Sequence, residues 1–176
     1  MRKQISLAVS ALSKREREQQ SEAICHAIMH HPAVMATDTV VAYWPLPDEP
    51  DIRPALRELH GQGKMVLLPH VINDTEMELR QYQGDEQLTE GAYGLMEPNC
   101  QLSIINYQLS TILVPGRAFD IHGHRLGRGK GYYDRFLAAW HDAETIAVCF
   151  RQQIVDNVPT DNNDITIKRL IWKISK

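Results

Sequence analysis

TILVPGRAFDIHGHRLGRGKGYYDRFLAAWHDAETIAVCF, residues 111–150, contains the alternation on which the fold depends. TILV (111–114) is an apolar, β-branched run halted by Pro115, the pattern of a short buried strand. Residues 123–131 form a glycine-rich loop, 132–141 read as a helix, and ETIAVCF (144–150) reads as a second buried strand. Strands apolar on both sides and separated by helices belong to an α/β sheet covered on both faces. Ligands in such sheets sit beyond the carboxyl ends of the strands, where the glycine-rich loop lies.

Upstream, Ile5, Ala8, Val9 and Leu12 recur at helical spacing in residues 2–12. Ser13 with Glu16 forms a capping-box pattern, so a second helix is expected to about His30, with Ile24, Ala27 and Ile28 inward and its end before Pro32. TVVAY (39–43) is a buried strand by composition, and WPLPDEPD (44–51), with three prolines, is a loop. A helix over 52–60 ends at Gly61 and Gly63, and a strand over 64–68 is closed by Pro69. Residues 77–81 read as a strand, 84–99 as turns carrying Gly84, Gly91, Gly94 and Pro98, and IKRLIWKIS (167–175) as a final strand.

The chain of 176 residues, 43% hydrophobic and 23% charged, suits one domain or two small ones, with enough apolar side chains to exclude general disorder. No apolar run reaches the ~18 residues of a membrane span. The amino terminus becomes highly charged after a short apolar patch and reads as mature protein, not a signal peptide. Three scattered cysteines, Cys25, Cys100 and Cys149, argue against a disulfide framework and for a reducing cytoplasm. A net charge of −3 excludes a general nucleic-acid binder. Residues 122–135 nevertheless carry Arg125, Arg128, Lys130 and Arg135 against Asp134 alone, which points to an anionic ligand.

Gly127, Gly129 and Gly131 alternate with Arg128 and Lys130. Alternating glycines let backbone N–H groups converge and let a phosphate approach closely, and a following helix presents its positive end. The loop is not a Walker A motif, because Gly131 follows Lys130 where that motif has Ser or Thr, and no strand enters it directly as in a Rossmann unit. A flexible surface hairpin with incidental charge is the alternative. Asp134 beside such a cradle invites a bridging Mg²⁺, a cation that prefers hard oxygen ligands; pairing with Arg125 or Arg135 is the alternative.

Pro115, Gly116, Phe119, Asp120 and Gly123, followed by the unbroken run Arg125 to Arg135, resemble the signature of the 5-formyltetrahydrofolate cyclo-ligase (methenyltetrahydrofolate synthetase) family. Shorter likenesses extend over most of the chain: Glu49-Pro50-Asp51, the run Tyr93 to Pro98, and Gln153-Ile154-Val155 with Pro159 and Asp164. The resemblance implies a single three-layer α/β/α sandwich over residues 1–176, its sheet mostly parallel or mixed. It implies a cytoplasmic, monomeric enzyme that closes 5-formyltetrahydrofolate to 5,10-methenyltetrahydrofolate with ATP and Mg²⁺, through an N5-iminium phosphate, without nucleic acid or membrane.

For ATP the resemblance implies Arg125, Leu126, Gly127, Arg128, Gly129, Lys130, Gly131, Tyr132 and Tyr133, with Arg2 matching a family Arg counted back from Ser13. The family Lys four residues before that Arg would precede Met1, and Lys3 is the nearest substitute. Arg128 to Tyr132 are also implied close to the folate, with Leu46 and Asp51, while Asp134 and Asp164 are implied for the metal. Arg128, Lys130 and Tyr132 are the expected catalytic groups. Glu49 and Asp51 have a rationale of their own, since a pterin edge offers an amino and a ring N–H to a carboxylate; an exposed acidic loop is the alternative. Two further departures are Asn163, where the family has His, and Arg117, where it commonly has an apolar residue.

His26 and His30 share a helix face without a zincin motif, and the histidines and cysteines are expected to be structural or solvated. Trp44 packs or lines the pterin pocket. Two other classes compete: a binding module without turnover, and an RNA-binding domain stacking bases on Tyr132 and Tyr133.

Overall fold

The computed structural model describes residues 1–91, 94–100, 109–161 and 164–172, so the expectations for Tyr93, Asn163 and residues 173–175 lie outside the described residues. Helices α1 (Arg2–Ser10) and α2 (Lys14–Met29) meet at Ser13. The capping box is formed: Ser13 Oγ accepts from the Glu16 N–H at 3.2 Å, and Glu16 accepts from the Ser13 N–H at 2.8 Å. Pro32 does not simply end the helical region. It opens a one-turn helix, α3 (Pro32–Ala36), because proline suits the first helical position, where no N–H is needed. β1 (Thr39–Val41), α4 (Arg53–Gly61), β2 (Met65–Val71) and β3 (Met77–Gln81) follow.

The expectation that Pro69 closes β2 is corrected. β2 runs through it to Val71. Tyr82 donates to the Val66 carbonyl, so residues 66, 68 and 70 bond toward β3 and the Pro69 nitrogen turns the other way. On that side the pairing with β1 already ends at Leu67, so the missing N–H falls beyond the β1 ladder.

Residues 84–99 hold more than turns: a 3₁₀ turn at Asp85–Gln87, then β4 (Leu88–Glu90) and β5 (Met96–Pro98), paired antiparallel. β6 (Thr111–Val114) leads into β7 (Ala118–Phe119) and β8 (Arg125–Leu126), a small hairpin inside the segment expected as loop. α5 (Tyr132–Ala139), β9 (Glu144–Val148) and β10 (Arg169–Ile171) complete the order.

The main sheet has the order β10-β9-β6-β1-β2-β3, parallel except for β3. Alternate strand residues face opposite sides. Val40, Val66, Leu68, Leu113 and Ile146 pack with Ile24 and Ile28 of α2, Val34 of α3 and Leu56 of α4. Val41, Leu67, Ile112, Val114 and Ala147 pack on the other face with Leu137 of α5, Phe119 and Ile167. The fold is thus the expected α/β/α sandwich with a mixed sheet. Ile5 and Val9 of α1 form a separate cluster with Ala118, Phe150 and Val158 at the sheet's carboxyl end.

From β1 the chain crosses through α4 to β2, and from β6 through α5 to β9, so the two crossovers diverge from the β1–β6 seam. Crossover handedness is nearly invariant, which puts the two helices on opposite faces. The strand ends of β1 and β6 separate there and leave a crevice, the usual place for a ligand in an open α/β sheet.

Candidate active site

That crevice is a cavity of about 510 Å³. The segment after β1 lines it with Tyr43, Trp44, Leu46 and Glu49; the segment after β6 contributes Pro115, Gly116 and the whole of Arg125 to Asp134. Pro69, Val71 and Met77 of the β2–β3 hairpin and Leu95 and Met96 beside β5 form an apolar wall. Arg2, Pro159, Asp161 and Asp164 complete the lining.

Nearly every residue expected at the site therefore meets at one cavity, although they lie up to 162 positions apart in the chain. Lys3 and Asp51 are the exceptions. Lys3 is an exposed residue of α1 outside the lining. Asp51 turns to its own helix start: it accepts from the Arg53 backbone N–H at 3.1 Å and from that guanidinium at 2.7 and 2.6 Å. Those Arg53 bonds hold its carboxyl below the usual range. Glu49, by contrast, is no exposed loop acid; it is 8% exposed and faces the cavity.

The glycine loop is gripped from three sides. Arg2 Nε donates to the Gly127 carbonyl at 3.0 Å, docking α1 on the loop. The β2–β3 turn accepts from Lys130 through Asp74 at 2.9 Å, from the Tyr132 hydroxyl through the Asn73 carbonyl at 2.7 Å, and from Arg135 through the Thr75 carbonyl at 2.9 Å. From the β1 side, Asp48 and Glu49 accept from Arg128 at 2.6 and 2.8 Å. Gly129 sits at φ +104°, a backbone state that other residues rarely adopt.

The local excess of three positive charges read from residues 122–135 thus meets carboxylates from elsewhere, at Asp48, Glu49 and Asp74. None of these pairings is visible in the sequence of the loop. Burial pushes the Glu49 carboxyl up, against the pull of Arg128 and its bond from the Leu46 N–H at 3.0 Å.

Arg125 lies under the loop, 7% exposed, with Asp134 on its Nη2 at 2.6 Å and the Tyr133 ring 5.6 Å from its guanidinium carbon. Its Nε is buried and has no hydrogen-bond partner among the described residues, and the same holds for the Tyr43 hydroxyl. Burial holds both the Tyr43 and Tyr133 phenols above the ordinary range, so they act as neutral groups.

Asp134 and Asp164 stand on the wall of the same cavity as the glycine loop. Asp164 accepts from the Asp161 N–H at 2.7 Å. Among the described residues no three acidic, His or Cys side chains form a metal cluster. Asp134 is paired with Arg125 at 2.6 Å, the alternative left open by the sequence; its second oxygen and the Asp164 carboxylate on the same wall are hard oxygen donors of the kind Mg²⁺ takes, and to that extent these residues fit the ion.

Sequence reasoning missed Tyr43, the Asn73–Thr75 grip and the apolar wall. Tyr43 reads there as one more buried strand residue, and only the strand order brings the two hairpins to the crevice.

The profile of the 5-formyltetrahydrofolate cyclo-ligase family matches residues 1–173. A mouse 5-formyltetrahydrofolate cyclo-ligase is 25% identical, over 99% of this chain and 93% of its own. The Escherichia coli enzyme of that name is 26% identical over 92% of each, and that of Mycolicibacterium smegmatis 34% over 76% of this chain and 72% of its own. The NMR structure of Aquifex aeolicus 5,10-methenyltetrahydrofolate synthetase superposes with a TM-score of 0.85 at 30% identity, covering 99% of this chain and 91% of that one. A Mycoplasma pneumoniae 5,10-methenyltetrahydrofolate synthetase gives 0.75 at 25%, covering 99% and 96%. Fold and relatives agree, and the chain belongs to the 5-formyltetrahydrofolate cyclo-ligase family.

Proposed function

We propose that the chain is an ATP- and Mg²⁺-dependent ligase that closes 5-formyltetrahydrofolate to 5,10-methenyltetrahydrofolate, releasing ADP and phosphate. The observation that carries this reading is the meeting of the glycine loop, Leu46, Glu49 and Asp164 around one cavity at the β1–β6 seam. The apolar wall of Pro69, Val71, Met77 and Met96 suits the flat folate ring system, with Trp44 beside it, and the buried Glu49 supplies an acceptor for the pterin N–H groups.

In the proposed reaction the formyl oxygen attacks the γ-phosphorus of ATP and ADP leaves, giving an N5-iminium phosphate. N10 then attacks the formyl carbon and loses its proton. Phosphate departs with the former formyl oxygen, leaving the methenyl bridge. No protein nucleophile is needed, so alignment and charge stabilisation provide the catalysis. Lys130 and Arg128 stabilise charge on the transferring phosphoryl group, the loop N–H groups and Arg2 hold the nucleotide, and Tyr132 contacts the folate. Asp134 and Asp164 would hold Mg²⁺, which when bound neutralises charge on the phosphate oxygens. The loop's cations, matched by Asp48, Glu49 and Asp74, favour a small anion over an extended RNA backbone.

We take the enzyme to act as a monomer, a reading that the elution volume of the full chain in size-exclusion chromatography tests. A cytoplasmic setting suits the free thiols of Cys25, Cys100 and Cys149. No helix among the described residues is long and apolar enough to cross a membrane.

The test mixes the protein with 5-formyltetrahydrofolate, Mg²⁺ and ATP and follows methenyl absorbance, with ATP omitted as control. ATP-dependent product is expected. Binding of both substrates without product would replace the proposal with a non-catalytic binding module, and binding of neither would overturn the site.

A further inference from the structure

Asp48 and Arg117 lie outside the cavity lining, yet they are joined to it through one side chain. Asp48 Oδ1 accepts from Arg128 Nη2 at 2.6 Å, and Oδ2 pairs with Arg117 Nη1 and accepts a longer 3.4 Å contact from Arg128 Nη1. Arg117 is rooted in the framework: its N–H donates to the Leu126 carbonyl at 2.7 Å, and its carbonyl accepts at 3.2 Å from the buried Gln153. Glu49 takes the same Arg128 Nη2 at 2.8 Å. Two guanidiniums and two carboxylates thus form one alternating cluster. Burial works against ionising Asp48, but Arg128 and Arg117 prevail and keep its carboxyl below the usual range.

From this geometry we propose that Asp48 is a positioning residue for Arg128, anchored in turn by Arg117. An arginine without Asp48 has Glu49 as its nearest carboxylate and collapses onto it. Two things follow: the guanidinium leaves the glycine loop, and Glu49 loses acceptor capacity toward its ligand. With Asp48 present, the guanidinium is held between the two acids at the mouth of the loop. The inference rests on the function proposed above in one respect: Arg128 meets the transferring phosphoryl group.

The experiment is a double-mutant cycle on the full chain. Asp48→Asn is expected to lower kcat about tenfold with the ATP KM within about twofold, as for a misplaced catalytic group. Asp48→Glu restores at least half of the loss, and Arg117→Met gives a smaller fall in the same direction. In an Arg128→Met background, read in single turnovers, Asp48→Asn costs less than about twofold, because its only route to the chemistry is gone. A merely structural Asp48 would cost the same in both backgrounds, and that result overturns the inference. Should the wild type form no product, the proposed function falls and the cycle is read in 5-formyltetrahydrofolate affinity instead, because an Arg128 released onto Glu49 takes up the acceptor capacity that the folate would use. There a coupling below about twofold between Asp48→Asn and Arg128→Met overturns the positioning role on its own.

Discussion

Asp120 is completely buried, and four N–H groups converge on its carboxylate. Oδ1 accepts from the His122 and His124 backbone at 2.9 and 3.1 Å, and Oδ2 accepts from His124 Nδ1 at 2.9 Å and the Val158 backbone at 3.0 Å. The side chain therefore ties the β7–β8 turn to the segment whose Pro159, Asp161 and Asp164 line the cavity. Asp120→Asn keeps the shape and replaces one acceptor end with a donor. With the amide nitrogen on the Oδ1 side, two backbone N–H groups would be opposed. On the Oδ2 side His124 can switch tautomer, leaving the Val158 N–H buried and unpaired.

The cheaper arrangement costs about 1–3 kcal/mol for that orphaned donor, and loss of the charge weakens the remaining bonds, for about 3 kcal/mol in all. For a chain of this size that lowers Tm by about 6–12 °C at pH 7. Burial opposes ionisation of Asp120, but the N–H groups of Val158, His124 and His122 hold its carboxyl below the ordinary range. A depressed folded pKa means the stabilisation is complete above the unfolded value of about 3.9 and is lost as pH falls through the lower folded value. Thermal melts of wild type and variant should therefore differ fully at pH 7 and converge only below about pH 4. A fall in Tm under about 2 °C at pH 7, or a gap that already closes near pH 6, would refute the reasoning.

Gly123 and Gly129 should separate stability from activity. A Cβ at Gly123, where φ is +87°, would stand 2.1 Å from the Ile167 carbonyl oxygen, so Gly123→Ala is expected to cost about 3 kcal/mol or more in denaturant titrations. At Gly129 the space is open, and Gly129→Ala is expected to cost only the ~1–2 kcal/mol of its backbone state while raising the ATP KM about tenfold. Tyr43→Phe removes a buried hydroxyl that has no partner among the described residues, so the variant should match or exceed wild-type stability by about 1 kcal/mol; a loss above that in urea unfolding would show a hidden partner. Ser13→Ala opens the capping box of α2 and should cost about 1 kcal/mol, read as a shifted denaturation midpoint at unchanged slope.

The local signals in the sequence were decisive where a residue's own chain neighbours determine its state. Ser13 with Glu16 starts α2 because the two caps satisfy each other within one turn, and TILV forms β6 because β-branched apolar residues suit a strand buried on both faces. The loop from Arg125 to Asp134 stood out in the same way, through glycine spacing and charge, and it lines the cavity. What the sequence could not determine depends on partners far along the chain. Pro69 is tolerated inside β2 only because β1 ends beside it, and the β4–β5 pairing needs two short strands to find each other across turn residues. The carboxylates that balance the loop, Asp48, Glu49 and Asp74, sit 56 to 80 residues away from their cations and come from the β1 and β2–β3 connections. Even the burial of Glu49 and of Tyr43 belongs to the strand order, because desolvation is a property of the assembled crevice, not of any segment.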